Sequence, residues 1–137
     1  MATDRDGCAD RVSILLDANA LMIPFQFRVD LFEELRNLIG AYEPLILTEV
    51  IQELRGLSRG RGKGGSAARS ALLLADRCLE TGSGYSDGTV DEKILRFAGE
   101  HGCMVCTNDR DLRDSLLSRG IPVITLMQQK KLGILRR

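Results

Sequence analysis

The chain has one histidine, His101, and no excess of either charge: 19 Lys and Arg are balanced by 19 Asp and Glu. His101 closes a helical stretch, far along the chain from any strand terminus, so the sequence offers no Ser–His or Cys–His nucleophilic set. The zero net charge removes the simplest electrostatic case for a nucleic-acid partner, although segregated charge stays open. No apolar run approaches the roughly 18 residues of a membrane span. The start, "MATDRDGCADR", is polar and acid-bearing and reads as neither a signal nor a transit peptide. Four cysteines, Cys8, Cys78, Cys103 and Cys106, lack a spaced framework, so reduced thiols in a cytoplasmic protein are expected. Cys103 and Cys106 form a CxxC among apolar neighbours with no second pair to complete a zinc site, and read as core thiols. Aromatics are few, and Phe25, Phe27 and Tyr42 are isolated enough to read as core rather than as stacking platforms.

What is present fits one domain: 137 residues, 44% apolar and 28% charged. "VSILL" (12–16), "PLILT" (44–48), "CMVCT" (103–107) and "IPVITL" (121–126) are short apolar runs of the kind buried strands show. Helical spacing is expected over 29–40, 49–57, 67–80, 89–102 and 110–118. Thr89 and Glu92 form a capping box that places Asp91 in a first turn. The turn-rich "TGSGYSDG" (81–88) suggests a very short strand near Tyr85. Alternating strands and helices predict an α/β class with a mainly parallel sheet and helices on both faces. Residues 1–11 read as a frayed arm, 12–126 as the domain, and 127–137 as a basic tail carrying Lys130, Lys131, Arg136 and Arg137.

In an open α/β sheet, ligands bind outside the carboxyl ends of the strands. Asp17 directly follows the first strand, Asp109 and Asp111 follow "CMVCT", and Asp91 opens a helix after a Gly-rich connection. Glu53 projects from the stripe it shares with Glu49 and is expected to be half-buried among Val50, Leu54 and Leu57. Each acid taken alone has a plainer reading, since Asn108, Asp111 and Asp91 suit helix caps or first turns. Capping does not account for acids at successive strand–helix junctions along one edge. Such a cluster calls for a counter-charge, and a hard divalent cation such as Mg²⁺ or Mn²⁺ suits carboxylate ligands.

Taken together, "LLDAN" (15–19), "EVIQEL" (49–54), "TVDEKIL" (89–95) and "VCTNDRDL" (105–112) resemble a PIN domain over about residues 12–126. The resemblance implies a three-layer α/β/α fold with strand order 3-2-1-4-5, and acids that bind one or two Mg²⁺ or Mn²⁺ ions for RNA cleavage. Carried over by position, those acids are Asp17, Glu53, Asp91 and Asp109, with Asp111 in addition. Asn19, Thr107 and Asn108 match polar positions that buttress them, and Ala18 stands where Thr or Ser is frequent. The chain is similar to small archaeal-type members, to rRNA-processing PIN nucleases and to VapC-type toxins. That implies RNA as substrate, an antitoxin or ribosome-assembly partner, and a homodimer.

Acids repel phosphate except through a metal, so cations must flank them. "LRGLSRGRGKGGSAAR" supplies Arg55, Arg59, Arg61, Lys63 and Arg69 as a mobile, RNA-binding loop, or as an ordinary solvated one. Two rival classes stand beside the nuclease. A phosphoryl-transfer domain of phosphatase type would want an Asp where Asn19 stands. A non-catalytic RNA-binding or scaffold domain would be expected to have lost an acid, and none is missing.

Overall fold

The computed structural model describes residues 11–137; the expected arm lies outside the described residues except for Arg11. The chain runs β1 (Val12–Leu16), α1 (Ala18–Phe27), α2 (Leu31–Ile39), β2 (Tyr42–Leu47), α3 (Thr48–Ser58) and α4 (Gly62–Ala75). It continues through β3 (Leu79–Thr81), α5 (Val90–His101), β4 (Met104–Cys106), α6 (Arg110–Ser118), β5 (Val123–Met127) and β6 (Lys131–Leu135).

The six strands form one sheet in the order β3-β2-β1-β4-β5-β6. The first five are parallel, with Ile14 paired to both Pro44 and Met104, and β6 runs antiparallel to β5. Strands added outward from β1 in two directions, under the right-handed crossover rule, assign α1–α4 and α5–α6 to opposite faces, and α1 packs on α3 and α4 while α5 packs on α6. The strand order reverses between β1 and β4, which is the switch point where such sheets open a crevice. Ile14, Leu15, Leu16, Val105 and Cys106 are wholly buried there, so the two strand ends are rigidly placed.

The structure corrects the sequence reading in several places. Residues 127–137 are not a tail: Leu132 is buried and Lys131–Leu135 forms β6. Burying a leucine contributes about 1.5–3 kcal/mol, enough to hold a short edge strand. The reversal uses consecutive left-handed residues, Gln128 (φ 54°) and Gln129 (φ 60°), where no glycine advertised a turn. The segment 18–27, which shows no helical period, is α1; Pro24 lies inside it and Ala18, Ala20, Leu21, Met22 and Ile23 are all buried, so no amphipathic stripe marks it. The basic loop is short, because α4 already begins at Gly62. The extra strand pairs Leu79–Thr81 with β2 instead of lying near Tyr85, and so α4 stops at Ala75. Phe25 is 46% exposed and is not core.

Candidate active site

Asp17 ends β1 and is the N-cap of α1, its carboxylate accepting the Ala20 N–H at 2.7 Å. It is only 5% exposed. Thr107, fully buried one residue past β4, donates its hydroxyl to the other Asp17 oxygen. The same Thr107 oxygen accepts the Asp109 N–H at 3.0 Å. Asp109 in turn caps α6, accepting from the Asp111 N–H at 2.9 Å and the Leu112 N–H at 3.3 Å. One hydroxyl therefore links the acid at the end of β1 to the acid after β4, across the switch point.

The field at this edge is strongly negative. Burial raises the Asp17 pKa from 3.8 to about 7; the bonds from Thr107 and Ala20 oppose the rise, and the nearby Asp91 and Asp109 charges add to it. Asp91, in the first turn of α5, is raised by desolvation and then by Asp109 and Asp111. Glu53 on α3 is raised by desolvation and then by Asp91 and Asp109. The residue as a whole is exposed while its carboxylate is partly desolvated, because the apolar stripe of α3 passes through Val50, Ile51 and Leu54 and leaves Glu53 at the margin. Asp17, Glu53, Asp91, Asp109 and Asp111 thus repel one another. Among the described residues the ion pairs are Lys93–Glu49, Arg96–Asp87 and Arg113–Asp114, none of which involves these five.

The donor set suits a hard cation, being carboxylate oxygen with no imidazole or thiolate among it. The coordination shell is not drawn together: among the described residues no three His, Cys, Asp or Glu side chains converge on a metal position. Asn19 and Asn108 are exposed beside the acids, whereas Thr107 is the one polar neighbour built into them.

Sequence reasoning missed the support of the Gly-rich connection before α5. Ser83 is buried, and Glu49 accepts its N–H at 3.2 Å as well as its hydroxyl. Burial acts to raise the Glu49 pKa, but the Ser83 bonds and Lys93 at 3.8 Å leave it lowered. The start of α5, and with it Asp91, is tied to α3. Nothing local signals a contact between residues 34 apart in sequence.

The cations divide. Arg55, Arg59, Arg61 and Lys63 are exposed. Arg69 is engaged in structure, donating to the carbonyls of Ser58 at 2.8 Å and Gly60 at 3.2 Å where α3 ends. The CxxC thiols are inert core: Cys103 and Cys106 are 3% and 0% exposed, and burial followed by the Asp17 charge pushes Cys106 up. His101 stacks on Phe97, with ring centroids 4.0 Å apart, away from the acids.

A family model described as a PIN like domain matches residues 14–129. Ribonuclease VapC9 of Archaeoglobus fulgidus is 34% identical over 121 residues, covering 88% of this chain and 87% of that protein. Ribonuclease VapC4 of Methanocaldococcus jannaschii is 30% identical over 120 residues, covering 85% and 92%. The solved structure of the PIN domain endonuclease Utp24 superposes with a TM-score of 0.77 at 27% identity, covering 91% of this chain and 92% of that one. Acids gathered at the β1/β4 switch point, the strand order around them and these matches agree that the chain belongs to the PIN-like domain family.

Proposed function

We propose that the chain is an endoribonuclease that hydrolyses RNA phosphodiester bonds with Mg²⁺ or Mn²⁺. The observation that carries this reading is the cluster of mutually repelling carboxylates at the switch point, to which no cation is paired among the described residues. Its similarity to two ribonucleases and a PIN domain endonuclease supports the same chemistry.

Asp17, Glu53, Asp91 and Asp109 would hold the ion, with Asp111 at the margin. When bound, the metal supplies an activated water and neutralises charge on the phosphate. The chain's own residues prepare that site. Thr107 and the Ala20 N–H fix the Asp17 carboxylate, and the α6 amides fix Asp109. Exposed Arg55, Arg59, Arg61 and Lys63 attract the RNA backbone toward an edge that would otherwise repel it. Asn19 and Asn108 are polar groups within reach of substrate or ligand water.

The similarity to VapC ribonucleases favours a toxin-type role with an antitoxin partner over rRNA processing with a ribosome-assembly partner. Function as a homodimer in the cytoplasm belongs to the same reading; no described helix is long and apolar enough to cross a membrane.

Purified protein incubated with single-stranded and structured RNAs tests the activity. Cleavage is expected in Mn²⁺ or Mg²⁺, arrest in EDTA, and loss in Asp109→Asn. Cleavage that persists in chelator overturns the metal mechanism. RNA binding without cleavage by the parent under any metal replaces it with the scaffold reading.

A further inference from the structure

Away from the acids lies a groove of about 890 Å³ between the C-terminal end of α1 and the first turns of α4, where Phe25 and Arg28 face Lys63, Ser66 and Ser70. Its lining includes two cations and no acid. The asymmetry extends along the chain, since no Asp or Glu occurs between Glu53 and Asp76 although the protein as a whole is neutral. Phe25 is 46% exposed at the groove, while Leu21, Met22 and Ile23, the preceding residues of its helix, are buried.

α1 links this groove to the acids. Asp17 is its N-cap, and Phe25 to Arg28 lie at its other end. Ten helical residues place the two about 15 Å apart. We propose that the groove holds a single-stranded stretch of the RNA whose scissile phosphate lies at the acids, with a base stacked on Phe25 and the backbone paired with Arg28 and Lys63. This rests on the ribonuclease reading and adds to it a second anchoring point.

The chemistry favours an unpaired strand over a duplex. Bases within an A-form helix present no open face to an aromatic ring, whereas splayed single-stranded bases do. Stacking supplies affinity without sequence preference, and the cations supply the salt-dependent part. The groove is too large for a lone ion, and Ser66 and Ser70 offer hydroxyls to sugar or phosphate oxygens. An acidic protein segment would satisfy the charges but has no particular use for an exposed ring.

The test measures anisotropy of a labelled mixed-sequence 12-mer RNA, its duplex, and a polyglutamate peptide, in Mg²⁺, on full-length protein carrying Asp109→Asn to stop cleavage. Adding Phe25→Ala should weaken the single strand about tenfold and the duplex far less. Arg28→Asn and Lys63→Gln should each lower the slope of log affinity against log salt by about 0.7. Asparagine suits position 28 because Arg28 is left-handed (φ 58°), and thermal melts verify that each variant is folded. Unchanged single-strand affinity and slope, in a protein whose parent cleaves RNA, overturn the groove alone. The same result with loss of polyglutamate binding assigns the groove to an acidic protein partner and also overturns it. A parent that neither binds nor cleaves RNA in Mg²⁺ or Mn²⁺ overturns the ribonuclease reading and the groove with it.

Discussion

The Thr107 hydroxyl donates to the Asp17 carboxylate, and its oxygen also accepts the Asp109 N–H at 3.0 Å. Thr107 and Asp17 are both buried, so the bond is shielded from water and spans 90 residues of sequence. Its worth can be read by deletion. Thr107→Val keeps the shape and leaves a buried carboxylate short of a donor and an amide short of an acceptor. It should lower stability by about 1–3 kcal/mol in thermal or urea melts. Cleavage should fall more than RNA affinity, and Thr107→Ser should restore both. Equal loss of affinity and rate would mean that Thr107 serves only the fold.

Asp109 is at once the N-cap of α6 and a member of the acidic cluster. Asp109→Asn retains the capping oxygen and removes one charge. In EDTA the variant should melt at or above the parent, because repulsion is relieved. In Mn²⁺ the parent should gain several degrees and the variant little, since stabilisation follows affinity for the folded state. Equal metal-induced shifts would remove Asp109 from the ligand set.

Stability of the metal-free protein should fall as pH rises from about 5 to 8. The Asp17 pKa is raised from 3.8 to about 7, so between those values the folded chain binds the extra proton and the unfolded chain does not. Stability is therefore greatest below the unfolded value and is lost as pH climbs through the folded one. Asp91 and Glu53, also raised, contribute with the same sign. Glu49 and Glu92 are lowered and act oppositely, but only on the acid side of their ordinary 4.5. Urea midpoints in EDTA across this window should slope downward for the parent and be flatter for Asp17→Asn. A flat parent profile would mean that Asp17 is not protonated in the fold.

The arginines of the α3–α4 corner should separate by assay. Arg69→Ala removes the donor from two carbonyls and should cost about 1 kcal/mol in a melt. Replacing Arg59, Arg61 and Lys63 together should leave the melt within about 0.5 kcal/mol and flatten the salt dependence of RNA binding. The reverse pattern would exchange their roles.

The acids were legible in the sequence because buried strands announce their own ends. "VSILL" stops at Asp17 and "CMVCT" stops before Asn108, and in a parallel sheet every such end faces the same edge. Local chemistry also revealed the Thr89 box, since its bonds join residues three apart. The cap of α6, however, is Asp109 and not Asn108, and Asp17 caps a helix that no stripe announced. Strand order followed from a resemblance in motif, not from spacing alone.

Tertiary structure decided what short-range pattern cannot carry. α1 had no stripe to show because the run Ala20–Ile23 is buried on every side, and β6 became a strand only because Leu132 found a core beside β5. Glu53 was placed at the margin and Phe25 outside it, although both sit among apolar neighbours in sequence. Arg69 was taken from the exposed basic set by two carbonyls at a helix end. Which residue types lie along an edge follows from alternation of strand and helix, a property of neighbours in the chain. Which of them are buried, paired or left to meet a ligand is set by contacts between segments far apart in sequence, and those form only when the sheet closes.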